Sequence, residues 1–127
     1  MNTGEFSFEK CEARYSEFRS LARWPSTKYV WRSLDEFLNN TVVDSGIHSI
    51  LLEELILDIY IDIKHGTPAY VHFHGNCPRA ANFKLPVFSG SNVLGPLNVT
   101  KIVPSDPVLL LDGSLELSWH AGSLSCK

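Results

Sequence analysis

The sequence predicts an α/β domain, in which a mixed β-sheet follows a helical N-terminal arm. Three observations support this fold class. Apolar residues recur every three or four positions over residues 7–22, which is typical of one helix face. Over residues 55–64 the apolar period changes to two, as in a half-buried strand. A second apolar run, residues 69–74, follows after a short turn.

Length and composition indicate one domain over residues 1–127, with enough apolar residues for a substantial core. The chain is 44% hydrophobic and 20% charged, which is ordinary for a globular protein. Its formal net charge of -3 argues against a nucleic-acid-binding platform, because such platforms present a basic face. No apolar run reaches the roughly 18 residues that a membrane span requires, so no membrane partner is expected.

The N-terminus and the cysteines predict a cytoplasmic location. Acidic and aromatic residues occupy the first positions, where a signal peptide would carry a basic and then an apolar stretch. Cys11, Cys77 and Cys126 are an odd number of cysteines, far apart and without a C-x-x-C motif. Reduced thiols in a cytoplasmic protein are the simplest account of them.

Residues 1–49 are expected to form a mainly helical lead-in. The first helix has Ser7 as a suitable N-cap, and Pro25 ends its pattern. The capping box Ser33-Leu34-Asp35-Glu36 predicts a second, short helix. The residues of this helix expected to face the core are Leu34, Phe37 and Leu38.

Residues 50–127 are expected to form the sheet. The alternation predicts one face with the odd-numbered residues Leu55 to Ile63, and a more polar face that includes Asp58. The turn chemistry of residues 65–68 predicts that 55–63 and 69–74 are adjacent antiparallel strands. Val99–Val103 is a further predicted strand, ended by Pro104.

Several short motifs follow one another between residues 50 and 122. In chain order they are the LILDIYIDI strand, VHFHGN, Arg79, the P-x-F of residues 86–88, Ser105-Asp106-Pro107 and Trp119-His120-Ala121-Gly122. This succession resembles the front half of a bacterial branch of the α/β-hydrolase-like superfamily, whose members include serine esterases and acyl hydrolases. In that superfamily the loop after the third strand commonly carries His-Gly and supplies a backbone amide to the oxyanion hole.

The resemblance implies an oxyanion-side loop at His74, Gly75 and Asn76, acting on an ester or acyl substrate. The alternative is an ordinary exit from the strand, in which Gly75 supplies a positive φ. Arg79 is implied to bind an anionic group of the substrate, and the alternative is a solvated loop arginine. For Asp106, an Asx turn is predicted rather than a catalytic acid, because the acid follows the nucleophile in hydrolase chain order.

One element of the family pattern is missing. The chain contains no G-x-S-x-G, and the pairs Gly90-Ser91 and Gly122-Ser123 lack the second glycine. The chain is therefore expected to be an N-terminal part without a nucleophile, whose catalytic half is missing, split off or was never present. We expect it to be inactive in isolation. A second hypothesis, from another functional class, is a non-catalytic protein-interaction module.

His72 and His74 share one face of their predicted strand, because their spacing is two. An H-x-H pair on a strand can bind a metal ion, but a third ligand is not evident in the sequence. The favoured interpretation is that His72 packs under the following loop while His74 orients that loop by hydrogen bonding. No metal and no other cofactor are therefore expected.

A last expectation concerns the edge of the sheet. A sheet that ends near residue 120 would leave its last strand uncovered, with the alternating apolar residues Leu115, Leu117 and Trp119 beside it. Such an edge predicts self-association or binding of a partner chain.

Overall fold

The sheet prediction is confirmed at the level of fold class: a computed structural model contains a mixed five-stranded sheet and two short α-helices. The structure describes residues 7–40, 43–74, 84–88 and 97–111. In chain order the elements are α1 (Phe8–Arg14), β1 (Lys28–Trp31), α2 (Leu34–Leu38), β2 (Gly46–Leu52), β3 (Leu55–Asp62), β4 (Ala69–Val71), β5 (Thr100–Pro104) and a 3₁₀ helix (Pro107–Leu111).

The strands are arranged in the order β1-β2-β3-β5-β4. The two outer pairs, β1 with β2 and β4 with β5, are parallel, whereas β2–β3 and β3–β5 are antiparallel. The carboxyl ends of β4 and β5 consequently lie at the same end of the sheet. Within the described residues, β1 and β4 are the two edge strands.

A two-residue turn joins β2 to β3. Leu52 pairs with Leu55, so Glu53 and Glu54 alone make the connection. Glu53 has a φ of 52°, the left-handed region that glycine or asparagine occupies with less strain. Burial of the flanking strands holds this glutamate in place.

The predicted hairpin between residues 55–63 and 69–74 is wrong, because β5 lies between β3 and β4. Pairing joins Ile61 of β3 to Ile102 of β5, and Ile102 in turn to Val71 of β4. The physical reason is the length of the connection. Six residues separate β3 from β4, and they can span about 20 Å, whereas two inter-strand spacings need only about 10 Å.

The lead-in over residues 1–49 also differs from the prediction, because β1 and the first half of β2 lie within it. Helix α1 ends at Arg14 instead of continuing to residue 22. Beyond it the chain turns so that Arg19 forms a bridge to Leu85, with Phe18 and Ser20 hydrogen-bonded to the Leu85 backbone. Tertiary pairing therefore ends the helix before its apolar stripe runs out. Ser7 caps α1 as predicted, accepting a hydrogen bond from the backbone of Lys10.

Both faces of β3 are partly covered. Ile56 and Asp58 are buried on the more polar face and Leu55 and Ile61 on the apolar face, while Leu57 and Ile59 are only half-buried. The covering layer is α1, the 3₁₀ helix and the segment around Leu85. The buried residues of this core are Phe8, Cys11, Tyr15, Leu55, Ile56, Leu85, Val108, Leu109 and Leu110.

Helix α2 packs on the opposite face with one aromatic ring. Ser33 caps it as predicted, accepting from the Glu36 backbone at 3.0 Å. Phe37 contacts the buried ring of His48, whose Nδ1 accepts from the Trp31 indole at 3.0 Å. The expected core residues Leu34 and Leu38 are 44% and 64% exposed. A helix of five residues has room for one inward side chain per turn, and Phe37 takes that position.

Candidate functional site

Three buried polar residues lie together where β4 and β5 end. They are His74, Ser105 and Asp106, here called the end cluster, and each is at most 5% exposed. His74 lies three residues beyond β4, and the other two follow β5 directly. Because parallel strands place their carboxyl ends at the same end of a sheet, the chain brings these residues together from 31 positions apart, 74 to 105.

A side-chain to backbone hydrogen bond connects the two strand ends. The backbone N–H of Asp106 donates to His74 Nε2 over 2.9 Å. Nε2 must be unprotonated to accept, so the neutral ring carries its proton on Nδ1 in this arrangement. The bond ties His74 to the residue that follows β5. The predicted role of His74 in orienting the following loop stays a prediction, because that loop lies outside the described residues.

Asp106 directly precedes the 3₁₀ helix. Its carboxylate Oδ1 accepts from the Val108 backbone at 3.1 Å, which is the predicted Asx turn. One oxygen of the carboxylate is therefore used in the turn, and Asp106 is 1% exposed.

Ser105 links the end cluster to the middle of the sheet. Its N–H donates to the carbonyl oxygen of Asp58 at 2.8 Å, and its Oγ accepts from the Val87 backbone at 3.0 Å. Both bonds connect segments that are far apart in the sequence. The first holds the end of β5 against β3, and the second holds the segment 84–88 over the sheet. This serine hydroxyl is occupied in a structural role.

Beneath the cluster lies a buried ion pair between Arg19 and Asp58. Nε and one terminal nitrogen of Arg19 each lie 2.8 Å from a different oxygen of Asp58, the bidentate geometry of a strong charge-assisted pair. Ser49 adds a 2.5 Å hydrogen bond to the same carboxylate. The side chains of Arg19 and Asp58 are 2% and 4% exposed.

Burial of Arg19 acts against its charged form, but the hydrogen bonds and negative charge of Asp58, with a smaller contribution from Glu12, outweigh it. The pKa of Arg19 consequently lies above its ordinary value. The guanidinium remains charged and holds the N-terminal segment on the sheet. Through the Asp58 backbone this pair also supports Ser105.

Of the residues that the resemblance implied, His74 alone lies within the described ranges. Gly75, Asn76 and Arg79 lie outside the described residues, as do the edge residues 115–119. The structure therefore gives the point from which the implied loop starts, at the end of β4. The role of His74, Gly75 and Asn76 stays a prediction, and so does that of Arg79.

The first histidine of the H-x-H pair continues the β4 ladder. His72 donates its backbone N–H to the carbonyl of Ile102 at 2.9 Å and is half-buried. Among the described residues there is no group of three or more histidine, cysteine, aspartate or glutamate side chains that could hold a metal ion. The absence of a bound metal at His72 and His74 stays a prediction, which elemental analysis of the purified chain would test.

Sequence reasoning missed the Arg19–Asp58 pair. The apolar period over residues 7–22 placed Arg19 in a predicted helix. The alternation over residues 55–64 placed Asp58 on the polar face of a predicted strand, which was expected to contact solvent. One signal was present: Asp58 lies in the middle of an eight-residue strand with apolar neighbours on both sides, where an unpaired charge is costly. Its partner could not be read from the sequence, because the two are 39 positions apart.

No family model, curated protein or solved structure matches this chain. In the described part of the chain, no helix is long and apolar enough to cross a membrane.

Proposed function

We propose that this chain is the oxyanion-side part of an α/β-hydrolase-like serine hydrolase that acts on an ester or acyl substrate. The observation that supports this best is the anchoring of His74 by Asp106 at the carboxyl end of an edge strand. Gly75 and Asn76 follow His74 directly in the chain. An anchored histidine gives the backbone amides after it a fixed starting point, which an oxyanion-binding loop needs.

A further strand beside β4 would make the same location a ligand-binding point by the connectivity rule of open sheets. In open α/β sheets, ligands bind outside the carboxyl ends of strands, at the point where successive connections lead to opposite sides. The chain leaving β4 leads to β5 on one side of it. A parallel strand added on the other side of β4 would make the end of β4 such a point, beside His74.

In this proposal, Gly75 and Asn76 stabilise the negative charge that develops on the substrate's carbonyl oxygen during acyl transfer. Backbone N–H groups suit this role because their dipoles are already oriented before the reaction, and glycine lets the substrate approach closely. His74 is a positioning residue and not the base, since its Nε2 accepts from Asp106. Arg79 would bind an anionic group of the substrate.

The nucleophile would come from polypeptide beyond these 127 residues, because they contain no G-x-S-x-G. It would lie on a strand paired with β4 on the side away from β5, contributed by an in-frame continuation or by a partner. The isolated chain is then expected to lack esterase turnover, because an oxyanion hole alone retains a small part of a triad enzyme's acceleration. Robust hydrolysis of an activated short-chain ester, abolished by substituting one serine, would show that we missed the nucleophile.

Amide NMR on the isolated chain tests the oxyanion loop directly, with methylphosphonate as a small tetrahedral oxyanion. We expect saturable shift changes at the amides of Gly75 and Asn76, and we expect His74→Ala to reduce them. His72→Ala, at the other histidine of the pair, is the matched control and should leave them unchanged. Shift changes elsewhere on the chain only, or changes that survive His74→Ala, would contradict the assignment.

The second candidate function, a non-catalytic interaction module, is favoured by the exposure of β4. Tyr70 and Val71 are 50% and 52% exposed, and Phe73 just beyond the strand is 58% exposed. Reading the gene past Lys127 separates the two functions. An in-frame continuation with a G-x-S-x-G elbow supports the hydrolase, and a stop codon supports the module.

A further inference from the structure

A polar pocket opens at the end of the sheet opposite to the end cluster. Strands β1 and β2 begin there, whereas β3 ends there, because β3 runs antiparallel to β2. The pocket has a volume of about 220 Å³, is open to solvent, and is lined by residues 26–27, 45–46 and 60–62. All of its lining residues belong to the described ranges. The pocket is therefore separate from the location of the proposed oxyanion loop.

Backbone contacts fix the walls of this pocket. The carbonyl of Thr27 accepts from the Ile47 N–H at 2.8 Å, which holds the segment before β1 against β2. A Cβ at Gly46 would lie 2.5 Å from the same carbonyl oxygen, so glycine is needed for this close approach. Ser45 Oγ accepts from the N–H of Ile63 at 2.9 Å, which holds the start of β2 against the end of β3. The shape of the pocket is thus set by the fold of the chain itself.

Four of the lining residues carry hydroxyl groups: Ser26, Thr27, Ser45 and Tyr60. A hydroxyl can both donate and accept. Ser45 accepts from the backbone and keeps its own proton to donate. Burial, and to a smaller extent the negative charge of Asp62, raise the pKa of Tyr60. The phenol therefore keeps its proton at neutral pH, and it lies within electrostatic reach of the Asp62 carboxylate.

One carboxylate completes the lining. Oδ2 of Asp62 lies 3.4 Å from Nζ of Lys101, which is longer than the about 2.7–2.9 Å of a close charge-assisted bond. The Lys101 side chain is 8% exposed and that of Asp62 is 30% exposed, so the carboxylate is the more accessible partner. Among the described residues no donor is bonded to Oδ1 of Asp62, and this oxygen is left to accept from a ligand.

The charges of this pair decide what the pocket can bind. A cationic ligand at Asp62 would also face the ammonium of Lys101, and an anionic ligand would face the carboxylate itself; like charges so close together repel. Because the pair is neutral overall, a neutral ligand is favoured. Such a ligand must supply donors to the carboxylate and both donors and acceptors to the hydroxyls. A set of adjacent hydroxyl groups supplies all of these.

We infer that this pocket binds a neutral polyhydroxylated small molecule of the size of one sugar ring. Asp62 would accept from the ligand's hydroxyl groups, while Ser45 and Tyr60 would donate to them. The volume corresponds to about seven water molecules at about 30 Å³ each, which leaves room for a single ring. The inference goes beyond the proposed hydrolase function and does not depend on it.

Amide NMR on the whole chain tests this inference, with D-glucose, D-galactose and D-mannose as probes. At least one of the three sugars should produce saturable shift changes at the amides of residues 26–27, 45–46 and 60–62. The expected Kd is on the order of 1 mM, because the ligand is small and the pocket is open. Methylammonium and inorganic phosphate, the cationic and anionic probes, should bind there more weakly than that sugar.

Two variants test the polar groups one at a time. Tyr60→Phe removes one hydroxyl but keeps the ring that packs on Phe88, with ring centroids 5.9 Å apart, so the fold should persist. It should raise the Kd of the sugar roughly two- to tenfold, the effect of one hydrogen bond between neutral groups. Asp62→Asn should raise it by at least about tenfold, because hydrogen bonds to charged groups are stronger. Tyr70→Phe, the matched control at a half-exposed tyrosine outside the pocket, should bind as the wild-type chain does.

Four outcomes would overturn the inference. The first is the absence of saturable shift changes with all three sugars up to about 100 mM, roughly a hundredfold above the expected Kd. The second is a set of saturable changes confined to residues outside the pocket. The third is sugar binding that either Tyr60→Phe or Asp62→Asn leaves unchanged while circular dichroism shows the variant folded. The fourth is tighter binding of methylammonium or phosphate at the same amides, which would assign the pocket to a charged ligand.

Discussion

Removing the charge of Asp58 should destabilise the fold more than any substitution on the protein's surface. Asp58→Asn keeps the size of the side chain but leaves the guanidinium of Arg19 buried without its counter-charge. Two charge-assisted hydrogen bonds of 2.8 Å are affected, each worth about 1.5–3 kcal/mol. Breaking one side of a buried ion pair costs about 3–5 kcal/mol, which agrees with that sum. This is a large part of the roughly 5–15 kcal/mol that stabilises a typical domain.

Urea unfolding followed by circular dichroism measures this loss. Arg19→Met should be destabilising by a similar amount, because it leaves the Asp58 carboxylate buried. The double variant Arg19→Met/Asp58→Leu should be more stable than either single variant, since an apolar pair has no charge to desolvate. Arg32→Met is the surface control: Arg32 pairs with Glu9, but both side chains are more than half exposed, so the urea midpoint should hardly move.

The reasoning would be refuted in either of two ways. One is a loss below about 1 kcal/mol for Asp58→Asn, the range of a solvated surface pair. The other is a double variant whose loss equals the sum of the losses of Arg19→Met and Asp58→Leu measured singly, because additivity would mean that the two side chains do not interact.

Three further substitutions have predictable effects on the free energy of unfolding, measured in the same way. Gly46→Ala should lower it by about 2–5 kcal/mol, because φ is +148° and the added Cβ would lie 2.5 Å from the carbonyl oxygen of Thr27. Glu53→Gly should raise it by about 0.5–1 kcal/mol by relieving a positive φ, whereas Glu54→Gly should not. Burial raises the pKa of Tyr15, so the wild-type chain should lose stability as the pH rises above about 10, and Tyr15→Phe should lose less.

Matched controls separate the causes in these cases. Gly66 also has a positive φ, +79°, but open space around its Cβ position, so Gly66→Ala should cost only the backbone strain of about 1–2 kcal/mol. Equal losses at Gly46 and Gly66 would mean that the contact with Thr27 relaxes. Tyr70→Phe, at a half-exposed site, should leave the alkaline loss as it is in the wild-type chain. A Tyr15→Phe variant with the full alkaline loss would contradict the burial explanation.

The sequence was informative wherever a local interaction decides the structure. The cap at Ser33, the Asx turn at Asp106 and the strands around Ile59 and Ile102 depend on residues within a few positions of each other, and all were predicted. The α/β class followed from the same local periods. Of the end cluster, the Asx turn at Asp106 was predicted, whereas His74 was predicted to lie in a strand and instead lies three residues beyond β4.

Tertiary structure decided which strands became neighbours and which faces were covered. The turn before β4 allows pairing with β3, yet β5 lies between them, because a six-residue connection is too long to enforce adjacency. Asp58 alternates like a solvent-facing residue, but Arg19 and Ser49 cover it. Long-range pairing of this kind depends on the total burial and charge compensation of the packed chain. No local pattern in the sequence encodes that sum, so the Arg19–Asp58 pair became evident only in three dimensions.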